Sequence, residues 1–390
     1  MKTKSSRRDF LSLGLALPVA GVASSLGVRE KTEFSQTTLR PTSGVQLAYR
    51  TLGGTGLKIT SVGFGCMITS DPSVIERAAD LGITYFDTAR GYQHGNNERM
   101  VGAALKRKRK DVVLSTKSGA GSKAGGLEEL DTGLRELGTD YVDIWYLHGK
   151  DAPGEIPDDL FEAQRIAKQQ GKIRFAGVST HEVKAMVPLL VEKRAIDVVL
   201  LTYNFSMGHD LDASIDLAHK NGLGVVAMKV MAGGFRKTKP SDPLYPKLRR
   251  EGTMLAALKW VLRNPNVATT VPSMTDMDQL DENLKAMAQP YSPNEEKLLT
   301  AQLEHITPLY CRMCGECRGT CAKGLPVANV LRYLTYADGY GQFALAREEY
   351  RRLPRELAEV RCGDCEQCTV KCPYGVQVTA RLARAQELLA

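Results

Sequence analysis

Eight of the nine cysteines lie after residue 310, in two runs of identical spacing. Cys311, Cys314, Cys317 and Cys321 read C-x2-C-x2-C-x3-C, and Cys362, Cys365, Cys368 and Cys372 repeat it, with Pro373 following. Four thiolates satisfy the four irons of one [4Fe–4S] cube, so eight in two runs imply two cubes. Zinc needs only two C-x2-C pairs per ion, and a disulfide framework belongs to scattered cysteines in a short secreted chain. Cys66 stands apart on an apolar segment and is expected in the core. A second set of reactive residues is Asp87, Tyr92, Lys117 and His148. A phenol near its ordinary pKa is a poor acid at neutral pH, and a neighbouring ammonium lowers that pKa. Asp87 would hold Lys117 charged, and His148 would donate a hydrogen bond to a carbonyl oxygen. Tyr92 would protonate that oxygen as hydride reaches carbon, or run the reverse on an alcohol.

These four residues act together only if the fold converges them, and the pattern of elements does so. Segments 61–65, 84–87, 112–117, 141–148, 173–179, 198–203, 225–229 and 267–271 are near-continuous apolar runs, each followed by a helical segment. Strands of that kind are buried on both faces of a parallel sheet. Eight βα units over about 240 residues predict an α/β fold of the (β/α)8 TIM-barrel class. The barrel brings chemistry to the carboxyl ends of its strands. Asp87 ends the second strand, Tyr92 follows it, Lys117 ends the third and His148 ends the fourth. The alternative is an open doubly wound sheet, with a Gly-rich fingerprint after its first strand. Gly53-Gly54-Thr55-Gly56 precedes that strand instead.

The segments 86–92 (FDTARGY), Asn97-Glu98, Gly102, 115–117 (STK) and 140–148 (DYVDIWYLH) resemble the aldo/keto reductase family in order and spacing, over roughly residues 48–290. The resemblance implies that Asp87, Tyr92, Lys117 and His148 are a catalytic tetrad, and that NAD(P) binds without a Rossmann fold. It further implies cofactor contacts at Ser179 and Thr180, Ser273, and Glu282 and Asn283. Departures are visible: Ser273 and Gln279 replace the basic residues that hold a 2′-phosphate, Leu200 replaces a carboxamide-binding Gln, and Met228 replaces a stacking aromatic. Without cationic partners a 2′-phosphate binds poorly. Either the nicotinamide is held tightly and exported with the folded protein, or electrons arrive another way. A flavin is a further carrier that would convert hydride into single electrons.

The cysteine runs resemble two-cluster ferredoxins, in which the fourth Cys of one run ligates the other cluster. That resemblance assigns Cys311, Cys314, Cys317 and Cys372 to one cube, and Cys362, Cys365, Cys368 and Cys321 to the other. The rival pairing keeps each run to its own cube. Helical patterns over 327–336 and 342–353 liken the tail to the helical two-cluster type. Arg312, Arg318, Lys323 and Arg332 near the runs, and the basic run 106–110 at a helix end, are expected on the solvated surface.

At the N-terminus, Arg7-Arg8 precedes an apolar stretch and a small-residue exit, which resembles a twin-arginine signal. The expected organisation is signal 1–25, linker 26–47, barrel 48–300 and dicluster ferredoxin-type domain 301–390. The expected location is periplasmic or exported, with no membrane span in the mature chain. Hydrophobic residues are 43%, charged residues 25% and the net charge +8. This excludes wholesale disorder and a polytopic membrane protein. Nucleic acid is not an expected partner, because no Lys/Arg stripe is interleaved with aromatics. The expected partners are a small carbonyl or alcohol substrate and a redox protein. The alternative is an electron-transfer protein whose barrel is a catalytically altered scaffold.

Overall fold

A computed structural model describes residues 46–233, 252–365 and 367–390. The signal reading and nearly all of the linker fall outside the described residues. Eight parallel strands follow one another in sheet order: β3 (Phe64–Gly65), β4 (Tyr85–Asp87), β5 (Val113–Ser118), β6 (Val142–Leu147), β7 (Ile173–Thr180), β8 (Val198–Thr202), β9 (Gly224–Met228) and β10 (Thr269–Thr270). Parallel bridges Val62–Thr270 and Gly65–Ser273 join the last strand to the first and close the barrel. The eight segments read from the sequence are these eight strands, shifted by no more than a few residues at their ends.

Period-two alternation sorts the side chains. Tyr85, Val113, Ile144, Tyr146, Val198, Leu200 and Val226 pack inside the barrel. Phe86, Leu114, Trp145, Leu147, Val199 and Leu201 face outward into the core shared with the helices. The barrel floor is plugged by a hairpin that the sequence reading did not include, β1 (Tyr49–Thr51) and β2 (Lys58–Thr60). Its Leu52, Leu57 and Ile59 join the inner core, and the 53–56 glycine turn is its tip, bound through Gly54 N–H to Gly222 O (2.7 Å).

Helix Pro293–Ile306 still belongs to the barrel, since Leu299 and Ile306 are buried in its core. A separate core starts at Met313 and gathers Val330, Leu331, Leu334, Ala346, Tyr350, Leu382 and Leu389. Its helices are Val327–Leu334, Phe343–Arg351 and Val378–Leu389, and the first runs into a π-helical turn, Thr335–Gly339. Among the described residues no helix is long and apolar enough to cross a membrane.

The basic run is not wholly solvated, contrary to expectation. Helix Asn96–Leu105 stops before it, and Arg109 turns inward to pair with Asp143 (3.0 Å) and to lie over Tyr141. Asp143 is buried and also accepts from Arg174 (2.7 Å) and from Leu114 N–H (2.9 Å), so a charge inside the barrel wall is fully coordinated.

Candidate active site at the barrel mouth

Val113, Ser115 and Lys117 alternate inward along β5, which places the Lys117 side chain at the mouth. Its Nζ donates to Asp87 Oδ2 (2.5 Å), to Thr88 O (2.7 Å) and to Tyr92 Oη (3.3 Å). Asp87 also accepts from Ser115 Oγ (2.7 Å). His148 continues β6, with its backbone N–H on Ser118 O (2.8 Å), and its ring meets Tyr92 edge-on at 5.7 Å between centroids. All four expected residues therefore meet at one place. Cys66 is buried in the core, as expected.

The electrostatics differ from the sequence reading in one respect. Burial raises the Tyr92 phenol and outweighs the lowering by Lys117, so its pKa stands above, not below, the ordinary value. Burial opposes the Lys117 ammonium, yet Asp87 and Tyr92 overcome it and the pKa rises. His148 is driven well below its ordinary range by burial and by the charges of Lys117, His181, Lys229 and Arg332. At neutral pH the site is thus phenol, ammonium and neutral imidazole.

Tyr92 is presented by a strained turn. Gln93, His94 and Gly95 all have positive φ (50°, 53° and 85°), and Gln93 Nε2 ties the turn to Thr69 O (2.8 Å). The following Asn97 and Glu98 are structural. Asn97 Nδ2 donates to Cys66 O (2.8 Å), and Glu98 is enclosed by Arg90 and by Thr116 Oγ1 (2.6 Å).

The expected cofactor contacts fall into two groups. Ser179 Oγ accepts from Gly149 N–H (2.8 Å), and Thr180 Oγ1 reaches Asp151 (3.3 Å), so both hydroxyls at the end of β7 serve the loop that follows β6. Ser273 bridges Gly65 across the barrel closure, and Glu282 and Asn283 lie on helix Met277–Leu284 beyond it. Asn283 is fully buried, and neither end of its amide has a hydrogen-bond partner in the protein. Gln279 is occupied within its own loop by Thr275 N–H (3.0 Å) and Asp276 (3.1 Å). Leu200 is inner core, and Met228 borders it.

The tail rests on the barrel mouth. Arg332 donates to Asp151 Oδ2 (2.8 Å) and contacts His181 Nδ1 (2.9 Å). Arg312 pairs with Asp210 (2.6 Å), and Lys184 with Glu316 (2.5 Å). Arg332 and Arg312 are consequently 15% and 10% exposed, which corrects their assignment to the solvated surface. Arg318 is exposed as expected, and Lys323 reaches Asp364 (3.2 Å). The sequence reading missed Asp151, His181, Lys229, Tyr336 and Tyr340, all drawn to this junction. Only an unusual lysine in the loop after the seventh strand could have flagged them.

The two cysteine runs pair through a short antiparallel bridge, Arg318–Lys371. The half-buried Cys311 thiol is pushed up to about 12, by desolvation and then by Cys314, Cys317 and Cys372 beside it. Cys362 is raised by burial and by Cys321, Cys368 and Cys365. Met313 N–H points at Cys311 Sγ (3.3 Å) and Tyr374 N–H at Cys372 Sγ (3.4 Å). No three His, Cys, Asp or Glu side chains among the described residues are gathered tightly enough to hold a single metal ion.

A closed parallel barrel with polar side chains converging at the carboxyl ends of its strands defines a (β/α)8 enzyme. Residues 71–253 match the aldo/keto reductase family. The chain is 28% identical to an uncharacterized oxidoreductase of Bacillus subtilis, over 61% of this chain and 90% of that protein. It is 27% identical to the L-glyceraldehyde 3-phosphate reductase of Escherichia coli strain K12, over 62% and 88%. The holo form of an aldo-keto reductase from Bacillus halodurans superimposes with a TM-score of 0.57 at 28% identity, covering 66% of this chain and 96% of that one. Over its barrel the chain is similar to the aldo/keto reductase family, and it is an oxidoreductase.

Proposed function

We propose that the protein is an exported aldo/keto reductase-type enzyme that interconverts a small carbonyl compound and an alcohol. In this reading Tyr92, Lys117, Asp87 and His148 are catalytic. The observation that carries it is the ammonium of Lys117, shared between Asp87 (2.5 Å) and Tyr92 (3.3 Å). Burial keeps Tyr92 protonated at rest, the state needed to give a proton to a reduced carbonyl oxygen. The nearby ammonium then stabilises the phenolate left behind. Neutral His148 orients the same oxygen by a hydrogen bond. Export rests on the paired arginines ahead of the N-terminal apolar stretch.

NAD(P) is the proposed hydride carrier, and when bound it supplies the hydride. The orphaned amide of Asn283 fits it, because an amide pairs with both the amino group and the ring nitrogen of an adenine edge. Ser179, Thr180, Ser273, Glu282 and Asn283 would hold it. Asp276 and Asp278 at the start of helix Met277–Leu284, with no cation among its residues, disfavour a 2′-phosphate and favour NAD over NADP.

The eight thiols fit two [4Fe–4S] clusters, which when bound supply one-electron carriers. Each iron of a cube takes one thiolate, so its ligands need not converge on one point. The mutual influence of Cys311, Cys314, Cys317 and Cys372, and of Cys362, Cys365, Cys368 and Cys321, favours the crossed pairing. An unidentified redox partner would exchange these electrons. Leu200 and the self-satisfied Gln279 favour a second reading, an electron-transfer protein on an altered barrel. Anaerobically purified protein decides between them. Bound iron and sulfide, a released nicotinamide and carbonyl turnover are expected, whereas clusters without turnover on any nicotinamide or artificial acceptor would leave the second reading.

A further inference from the structure

Lys229 follows β9 at the barrel mouth in a left-handed conformation (φ 58°), a strained backbone for a lysine. Its Nζ lies 4.6 Å from the Tyr336 ring centroid and 5.6 Å from that of Tyr340, and 3.4 Å from Tyr336 Oη. Both tyrosines come from the π-helical turn and its end, the point where the tail helix widens over the mouth. π-Turns of this kind are frequent at functional sites. The other charges here are already matched. Lys117 is paired with Asp87, Arg332 with Asp151, and Glu349 with Arg352. Among the described residues, no carboxylate pairs with Lys229.

We propose that Lys229, with Arg332 beside it, forms an oxyanion subsite next to Tyr92 and His148, and that the substrate carries a carboxylate there. Two cations drawn from the two halves of the chain act on His148, and one of them, Arg332, is already paired with Asp151. The remaining charge is about one, which suits a monoanion better than a phosphate dianion. Burial and the neighbouring Arg332 and Lys117 lower the Lys229 amine to about 7, and a bound anion would relieve that penalty. The aromatic faces of Tyr336 and Tyr340 hold the ammonium in place without neutralising it. The tail thereby roofs the reaction site as well as carrying the cysteines. The identity of the anion as substrate rests on the oxidoreductase reading above, whereas the subsite itself does not.

The test is calorimetric titration of the anaerobic holoprotein with oxamate, a redox-inert monoanion, and with its neutral relative oxamide. Oxamate is expected to bind about tenfold or more tightly than oxamide, the worth of one hydrogen bond to a charged group. Lys229→Met should remove that preference, and Lys229→Arg should retain it, which separates charge from folding. Equal binding of the two probes, no binding of oxamate, or unchanged oxamate binding by Lys229→Met overturns the subsite. Displacement of oxamate by NADH, with Lys229→Met weakening NADH, would give the cation to the dinucleotide and likewise overturn it. Oxamate binding lost in Lys229→Met from a protein that turns over no carbonyl sinks the enzymatic reading and leaves the subsite standing.

Discussion

Tyr92 is a phenol whose proton is held by burial and whose conjugate base is awaited by an ammonium 3.3 Å away. Removing only the oxygen isolates its role. Tyr92→Phe is expected to lower turnover by about 10²–10⁴-fold, the usual worth of a positioned acid, while the iron content and absorption spectrum stay unchanged. A scaffold barrel would instead show the same electron-transfer rate in both proteins. Not every polar residue of the mouth-forming motifs has such a role. Asp143 lies between Tyr141 and His148 in sequence, yet it is a wall residue, 1% exposed and held by Arg109 and Arg174. Asp143→Asn leaves two guanidinium groups without their carboxylate. It should cost on the order of 3 kcal/mol in chemical denaturation, with turnover per folded molecule intact.

The elements were legible where one period governed them. Buried parallel strands write themselves as apolar runs, so all eight barrel strands and the convergence of Asp87, Lys117 and His148 could be read directly. Where a local cause competed, reading failed. The floor hairpin is only three residues per strand, too short for a period, and its glycines looked like a loop. Helix Val378–Leu389 buries Val378, Leu382, Ala385 and Leu389 on one face, but Gln377 at its start makes no side-chain cap that would announce it. Arg109 and Arg332 were assigned to solvent because a charge shows its partner only in three dimensions. The turn that presents Tyr92 carries no sequence signal beyond Gly95, since Gln93 and His94 rarely adopt positive φ.

For the whole molecule the central contact is the seat of the tail on the barrel, where Arg332, Asp151 and His181 meet. His181 is 8% exposed, and burial and then Arg332 lower it to about 4 against its ordinary 6.5, although Asp151 pulls the other way. The fold therefore favours the neutral imidazole. Its contribution is intact above pH 6.5, is lost progressively as pH falls towards 4, and amounts to on the order of 3 kcal/mol. Thermal unfolding followed between pH 7 and 4 should fall more steeply in the native chain than in His181→Gln, and identical slopes would remove His181 from the seat. The packing of the cysteines gives the last prediction, because two pairings of the same eight thiols respond differently to paired losses. If Cys372 completes the cube of the first run, Cys314→Ser with Cys372→Ser damages one cube and leaves about four irons per chain, whereas Cys314→Ser with Cys321→Ser damages both. If each run keeps its own cube, the two results exchange places. Iron and sulfide analysis of the two double variants, purified anaerobically side by side, reads the pairing directly. The bridge between Arg318 and Lys371 holds the runs together in either case, so loss of iron in these variants reports ligation and not separation of the runs.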